Sequence, residues 1–147
     1  MTDTFITLSK VANDQELAHA FQIRKKVFVE EQRVPEEEEY DIHEQHATHF
    51  VAHDEEERPC GTARWRETRK GIKLERFAVL PSHRGQGIGS MLLEAILHDI
   101  QEDPNVNQQA IYLHAQTPAI RFYERFGFDV IGEEFEECGI KHYEMVR

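Results

Sequence analysis

Two cysteines, Cys60 and Cys138, are all that this 147-residue chain contains. They lie far apart and in no metal-type spacing, which argues against a cysteine metal site and suits a reducing cytoplasm. No apolar run approaches the ~18 residues that a membrane-spanning helix needs, so a soluble protein without a membrane partner is expected. The opening residues, Met1-Thr2-Asp3-Thr4-Phe5-Ile6, have neither a basic start nor an apolar stretch, so no export signal is read there. Positive charge is scarce: 17 Lys and Arg stand against 28 Asp and Glu, a formal charge of −11. Nucleic-acid phosphates would be repelled by such a surface, and the basic footprint that they require is missing. The acidity serves solubility first and mildly favours a cationic partner. Linkers, repeats and low-complexity tracts are absent apart from Glu36–Glu39. With 39% hydrophobic and 31% charged residues, the composition fits one globular domain over residues 1–147.

Periodicity lays out the chain. Thr4 to Ser9 alternates apolar and polar residues, as a first strand does. Asn13 and Glu16 form a capping-box start, after which Leu17, Ala20, Phe21, Arg24, Val27 and Phe28 trace one helical face ending near Pro35. The run Glu36 to Asp41 reads as a solvated acidic loop. Three extended segments follow, near His49–His53, Gly61–Glu67 and Ile72–Val79, joined by polar turns and so expected to pair antiparallel. Ile88, Met91, Leu92, Ala95, Ile96 and Ile100 then recur at helical spacing until Asp103-Pro104. A short strand, Ala110–His114, precedes a compact helix with Thr117 as N-cap, Pro118 at its start and Gly127 at its C-terminal turn. Strands near Val130–Phe135 and Lys141–Val146 close an α/β chain on a mostly antiparallel sheet.

The chemistry concentrates between Leu74 and Gly89, which reads strand, tight turn, helix start. Gly85, Gly87 and Gly89 remove side chains where a backbone must come close to something. Amides of the turn and helix start are left to point outward at the positive end of the helix dipole, a nest suited to a pyrophosphate. Arg84 adds a fixed positive charge. The spacing Gly-x-Gly-x-Gly is not the dinucleotide pattern Gly-x-Gly-x-x-Gly, and a Walker loop's Gly-Lys-Ser/Thr is missing. An ordinary strand-to-helix connection also has this composition.

Val79-x-Pro81-x-x-Arg84-Gly85-x-Gly87-Ile88-Gly89 resembles the acetyl-CoA motif, Arg/Gln-x-x-Gly-x-Gly/Ala, of the GNAT superfamily of N-acetyltransferases. Downstream, Ala119-x-x-Phe122-Tyr123-x-x-x-Gly127-Phe128 is similar to that superfamily's second conserved block, in the same order and at a fitting distance. Arg24-x-x-Val27-Phe28-Val29-x-Glu31-Gln32 and Leu113-His114-Ala115-Gln116 look like a bacterial subgroup termed YjcF-like or ElaA-like. The resemblance implies the GNAT-type acyl-CoA N-acyltransferase fold, α/β, with a mixed, mostly antiparallel sheet of about six or seven strands and about four helices. It implies acetyl-CoA as co-substrate, no metal, and a primary amine as acceptor. Backbone groups of Phe77, Ala78 and Val79 would pair with the pantetheine arm, and amides of Arg84, Gly85, Gln86, Gly87, Ile88 and Gly89 would bind the pyrophosphate. Gln116 stands where the family often has Asn, keeping the amide but lengthening it.

Direct transfer to an amine needs a group that takes a proton from the attacking nitrogen and one that protects the departing thiolate. Tyr123 matches the family's tyrosine for the second task, since a phenol keeps its proton at neutral pH. For the first there are two candidates, as base or amine ligand. Glu75 lies four residues before Val79, on the same strand face by alternation. His114 ends a predicted strand and has a ring that titrates near working pH. Each could equally be an ordinary polar residue. His43, His46, His49 and His53 are spaced loosely for a metal and read as solvated or substrate-facing. If the acidic run borders the acceptor pocket, it favours a small cationic amine. Cys138, beside carboxylates, is not a nucleophile candidate. A non-catalytic acyl-CoA sensor is the alternative to an enzyme. A homodimer is the common default for assembly.

Overall fold

The computed structural model describes residues 5–147, so Thr4 of the expected first strand lies outside the described residues. Asn13 opens helix α1 (Asp14–Arg24) by accepting a hydrogen bond from the Glu16 amide at 2.8 Å. The helix does not stop at Arg24. It widens into a π-helical stretch, Lys25–Glu31, whose looser turns re-aim the side chains that follow. The acidic run, expected as a solvated loop, instead forms the helical turn α2 (Glu36–Glu39). Its last residue, Glu39, is buried because the guanidinium of Arg24, itself buried, reaches it at 3.0 Å. A buried cation needs a partner, and the run supplies one.

Seven strands form one sheet in the order β1-β2-β3-β4-β5-β7-β6. They are β1 (Thr7–Lys10), β2 (Thr48–His53), β3 (Pro59–Thr68), β4 (Gly71–Val79), β5 (Ile111–Gln116), β6 (Asp129–Glu137) and β7 (Ile140–Val146). Every adjacent pair is antiparallel except β4 and β5, which run parallel and are joined by helix α3 (Ile88–Glu102) as crossover. Helix α4 (Ile120–Glu124) follows β5. Among the described residues no helix is long and apolar enough to cross a membrane.

Both faces of the sheet are covered. On one, Leu92, Leu93, Ile96 and Ile100 of α3 pack with Phe50, Trp65, Leu74, Leu113 and Phe128. On the other, Ala20 and Ile23 of α1 and Val27 pack on Val51 and Ala78. Strand β6 lies outermost, largely exposed, and slips register between Ile131 and Phe135.

The short helix α4 ends as its sequence requires. Gly127 takes φ +87°, and the Phe128 amide returns to the Tyr123 carbonyl at 3.3 Å, which drives the Phe128 ring into the core. Its start differs from expectation. Thr117–Ala119 is a 3₁₀ turn, and the Thr117 hydroxyl bonds the Lys141 carbonyl at 3.2 Å instead of capping the helix. The cap is lost because the 3₁₀ turn moves the start of the helix to Ile120 and leaves Ala119 at the N-cap position.

Candidate active site

Strands β4 and β5 pair only from Ile72 to Leu74 and from Ile111 to Leu113. Beyond that they part, each keeping its other neighbour. On the far side of β4, Thr62 pairs with Ala78 but Arg64 with Glu75, so β4 carries one extra residue. Arg76, at φ +61°, makes this bulge. The bulge also reverses the strand's parity. Phe77 and Val79 turn to the α3 face, whereas Glu75 joins Arg64 and Arg66 on the α1 face. Simple alternation, which puts Glu75 and Val79 on one face, fails at that residue.

The gap opens into a cavity of about 980 Å³, including its mouth. Tyr123 and Phe77 reach it from the α3 face; Glu75, His114, Glu137 and His142 line it from the other. Tyr123 is 8% exposed, and its ring stands edge-on to Phe77, Phe122 and Phe128. Its hydroxyl has no hydrogen-bond partner among the described residues. Burial pushes the phenol well above its ordinary value, so it stays protonated.

Glu75 is differently placed. Its Oε1 takes Arg64 at 2.8 Å and Arg66 at 2.5 Å, while Lys73 lies 3.5 Å from Oε2. Burial alone would raise this carboxyl; Arg64, Arg66 and Lys73 overcome it and hold it at about 2. Such a carboxylate is a poor proton acceptor near neutral pH. Arg64 is 0% exposed and also binds Asp41 at 2.7 Å and Glu44 at 2.6 Å. Arg24 holds Glu44 from the other side at 2.7 Å. Behind the lining residues Glu39 and Glu75 there is therefore a lattice of two buried arginines and four carboxylates, with the Arg76 guanidinium at its rim.

His114 carries a carboxylate at each ring nitrogen, Glu137 Oε1 2.7 Å from Nδ1 and Glu144 Oε1 3.2 Å from Nε2. The hydrogen bond to His114 lowers the Glu137 carboxyl below its usual range.

The glycine-rich turn lies at the end of β4. Gly85 and Gly87 have φ of +81° and +78°, and nothing lies within 4 Å of where their Cβ atoms would be, so the turn is open as well as left-handed. A Cβ on Gly89 would sit 3.5 Å from Phe122. Gln86 is exposed and Ile88 is buried in the core. Among the described residues, none of the amides from Gly85 to Gly89 donates a hydrogen bond. The Arg84 amide differs, being used by Pro81 O at 3.4 Å. The Leu80 amide bonds Cys60 O on β3, which turns the Val79 amide and carbonyl toward the gap. Arg84 covers that carbonyl, with Nε 3.0 Å from Val79 O, and its Nη atoms grip Glu31 at 2.7 and 2.8 Å. Glu31 holds the guanidinium charged and is itself pulled down by it.

Gln116 ends β5 and shares a reciprocal amide pair with Gln32, at 3.0 and 3.5 Å. The segment Arg24 to Gln32 thus serves the site from one continuous helical stretch: Arg24 the lattice behind the cavity, Glu31 the Arg84 side chain, Gln32 the Gln116 amide. Glu137, His142 and Lys73 are wall residues with no motif to mark them. The four spaced histidines do not converge: His49 is buried and bonds Glu44 O at 3.0 Å, while His53 faces His19 at 3.3 Å. Among the described residues no three His, Cys, Asp or Glu form a metal-type group.

A family model for the acetyltransferase (GNAT) domain matches residues 8–147. The chain is 41% identical to the uncharacterized N-acetyltransferase YjcF of Bacillus subtilis (strain 168) over 136 residues, 92% of this chain and 94% of that one. An acyl-CoA N-acyltransferase from Pseudomonas aeruginosa superposes with a TM-score of 0.84 at 26% identity, covering 98% of this chain and 99% of the other. Escherichia coli ElaA gives a TM-score of 0.86 at 24% identity, covering 97% and 99%. These likenesses span the sheet, the gap and the glycine-rich turn together.

Proposed function

The chain belongs to the GNAT family of acetyltransferases, and on that premise we propose that it moves the acetyl group of acetyl-CoA onto a primary amine by direct attack. The observation that carries this reading is a single cavity, entered by Tyr123 from one face of the sheet and by His114 from the other. The free amides of Gly85 to Gly89 hold the pyrophosphate at the start of α3, with Arg84 at their edge. The open edge of β4 from Phe77 through Val79 pairs with the pantetheine arm, and Gln116 offers its amide from the facing strand. Acetyl-CoA supplies an activated acyl group on a sulfur that can leave.

His114 takes the proton that makes the acceptor nitrogen nucleophilic, and Tyr123 gives its proton to the departing sulfur. Glu75, held ionised, serves as amine ligand through Oε2, whose neighbour is Lys73. With Glu38, Glu39 and Glu137 also lining the cavity, a small cationic amine is the acceptor class that fits. A reducing cytoplasm suits the two free thiols, Cys60 and Cys138. One domain carries the activity, and a homodimer is its simplest assembly.

Calorimetric titration with acetyl-CoA tests the cofactor half, and CoA release with added amines tests the transfer. One-to-one saturation is expected. Gly87→Glu should abolish that binding, because the new carboxylate fills the open turn with a charge like the ligand's own. A folded Gly87→Glu protein that binds acetyl-CoA undiminished would place the pyrophosphate elsewhere.

A further inference from the structure

Acetylation of an ammonium group leaves a proton over. The nitrogen of R–NH₃⁺ gives up two protons as the C–N bond forms and the C–S bond breaks. The sulfur keeps one, so one proton must leave the cavity in every turnover. Tyr123 can return to its starting state by exchanging the sulfur's proton for the nitrogen's second one. The first proton has no such outlet at Tyr123, whose hydroxyl faces the cavity with no hydrogen-bond partner among the described residues and whose ring is packed against Phe77, Phe122 and Phe128.

We propose that Glu137, His114 and Glu144 form a proton exit leading from the acceptor cavity through the β5–β7 layer to solvent at Lys70. The proposal rests on the transfer reaction proposed above and assigns proton-transfer roles to two carboxylates to which that reaction gave none. Glu137 lines the cavity and meets His114 Nδ1 at 2.7 Å. On the other side of the ring, His114 Nε2 meets Glu144 Oε1 at 3.2 Å. Glu144 is outside the cavity lining and is bonded to Lys70, whose side chain is 60% exposed. An imidazole can accept at one nitrogen while donating at the other, which makes it the natural middle of such a chain. The ring is fixed for the purpose. Strand register sets His114 directly opposite Glu144, and Phe135 stands edge-on to it at 5.0 Å.

Other charged and titratable groups around the ring are few. Tyr112 is its neighbour on β5, His142 approaches Glu137 at 3.9 Å from β7, and Lys73 on β4 acts on Glu137 from across the cavity. With Glu137 and Glu144 both ionised, the ring makes both hydrogen bonds only when both nitrogens carry protons; a bare nitrogen instead accepts from a protonated carboxyl. During transfer a proton arriving on Glu137 passes to a bare Nδ1 while the Nε2 proton passes to Glu144 and on to water, which leaves the ring protonated at Nδ1. Once the product has left, the Nδ1 proton returns through Glu137 to water in the cavity and Nε2 is reprotonated through Glu144, so that the net proton lost to water is the ammonium's. No atom changes oxidation state in these steps. An N–H bond of the ammonium breaks as a Glu137 O–H forms; that O–H breaks as the Nδ1–H forms, and the Nε2–H breaks as a Glu144 O–H forms, whose proton is lost to water.

Glu144 touches neither reactant, so it acts through His114 as a positioning residue. The test compares two nucleophiles, 1,4-diaminobutane, which arrives as an ammonium, and hydroxylamine, which is already neutral at pH 7. CoA release is followed across pH for the wild type, Glu144→Gln and Glu144→Asp. Gln keeps the size of Glu and an oxygen for Lys70, so the fold is retained. With diaminobutane, Glu144→Gln should lower kcat about tenfold and displace the pH profile, with the acetyl-CoA KM little altered. The loss with hydroxylamine should be several-fold smaller, and Glu144→Asp should recover most of the rate. Equal losses with both nucleophiles, or no loss with either, overturn the relay. Wild-type protein that binds acetyl-CoA but releases CoA with neither amine overturns the transfer reading, and the relay falls with it.

Discussion

Tyr123→Phe should lower kcat about a hundredfold or more while leaving the Kd for acetyl-CoA unchanged. The substitution removes one oxygen from a ring that is already buried among aromatic side chains, so packing is conserved. It breaks no hydrogen bond among the described residues, which leaves the phenolic proton as the difference between the two proteins. Steady-state rates with a saturating amine, beside calorimetry of acetyl-CoA binding, separate the two effects. A rate equal to wild type would take the phenol out of the reaction. A parallel loss of cofactor affinity would recast the ring as a wall of the binding site.

Arg64→Met should cost about 3–5 kcal/mol of stability, because it leaves buried carboxylates without their counter-charge. Arg64 is 0% exposed and is shared by Asp41, Glu44 and Glu75. A loss of that size is a large fraction of the 5–15 kcal/mol that holds a typical domain folded. Chemical denaturation measures it, and a change below about 1 kcal/mol would show that the network contributes little. The same lattice sets an acid limit. Glu75 sits at about 2 in the fold against an ordinary 4.5. A depressed carboxyl stabilises fully above its unfolded value and loses that contribution as pH falls through the folded one. Wild-type stability should therefore decline between about pH 4.5 and 2, by on the order of 3 kcal/mol from Glu75 alone. Asp41, held well below the carboxylate range against its own burial by Arg64, acts in the same direction. In Arg64→Met this slope should flatten, and an unchanged slope would assign the acid response to other groups.

What could be read from the sequence follows the range of the forces involved. The Asn13 cap, the Gly127 stop and the tight turn at Gly85 and Gly87 are set by residues a few positions apart, and all are legible. Apolar periodicity located α3 and the strands for the same reason. The bulge at Arg76 is not local in that sense. It depends on β3 pairing Arg64 with Glu75 while Thr62 pairs with Ala78, and no pattern within β4 announces it. The parity of Glu75 was lost with it. Likewise Glu39 reads as one of four solvated acids until Arg24, fifteen residues earlier, is seen to bury with it. The partners of His114 come from β6 and β7, so its setting depends on strand order and not on the Leu113–Gln116 segment itself. The widening of α1 at Lys25 is also silent in sequence, since Val27 and Phe28 suit an α-helical face as well as a π-helical one.

The exposed outer strand β6 bears on how the protein behaves among its own copies. An open strand edge is a template on which another chain can add, and the apolar Val130 and Ile131 would assist that. Asp129, Glu133, Glu134 and Glu136 stand along the same edge, and the irregularity around Gly132 (φ +74°) spoils its straight line of free amides. A second molecule docking edge to edge would set like charges against one another and find no continuous ladder to extend. The carboxylates that crowd this strand therefore disfavour edge-to-edge addition.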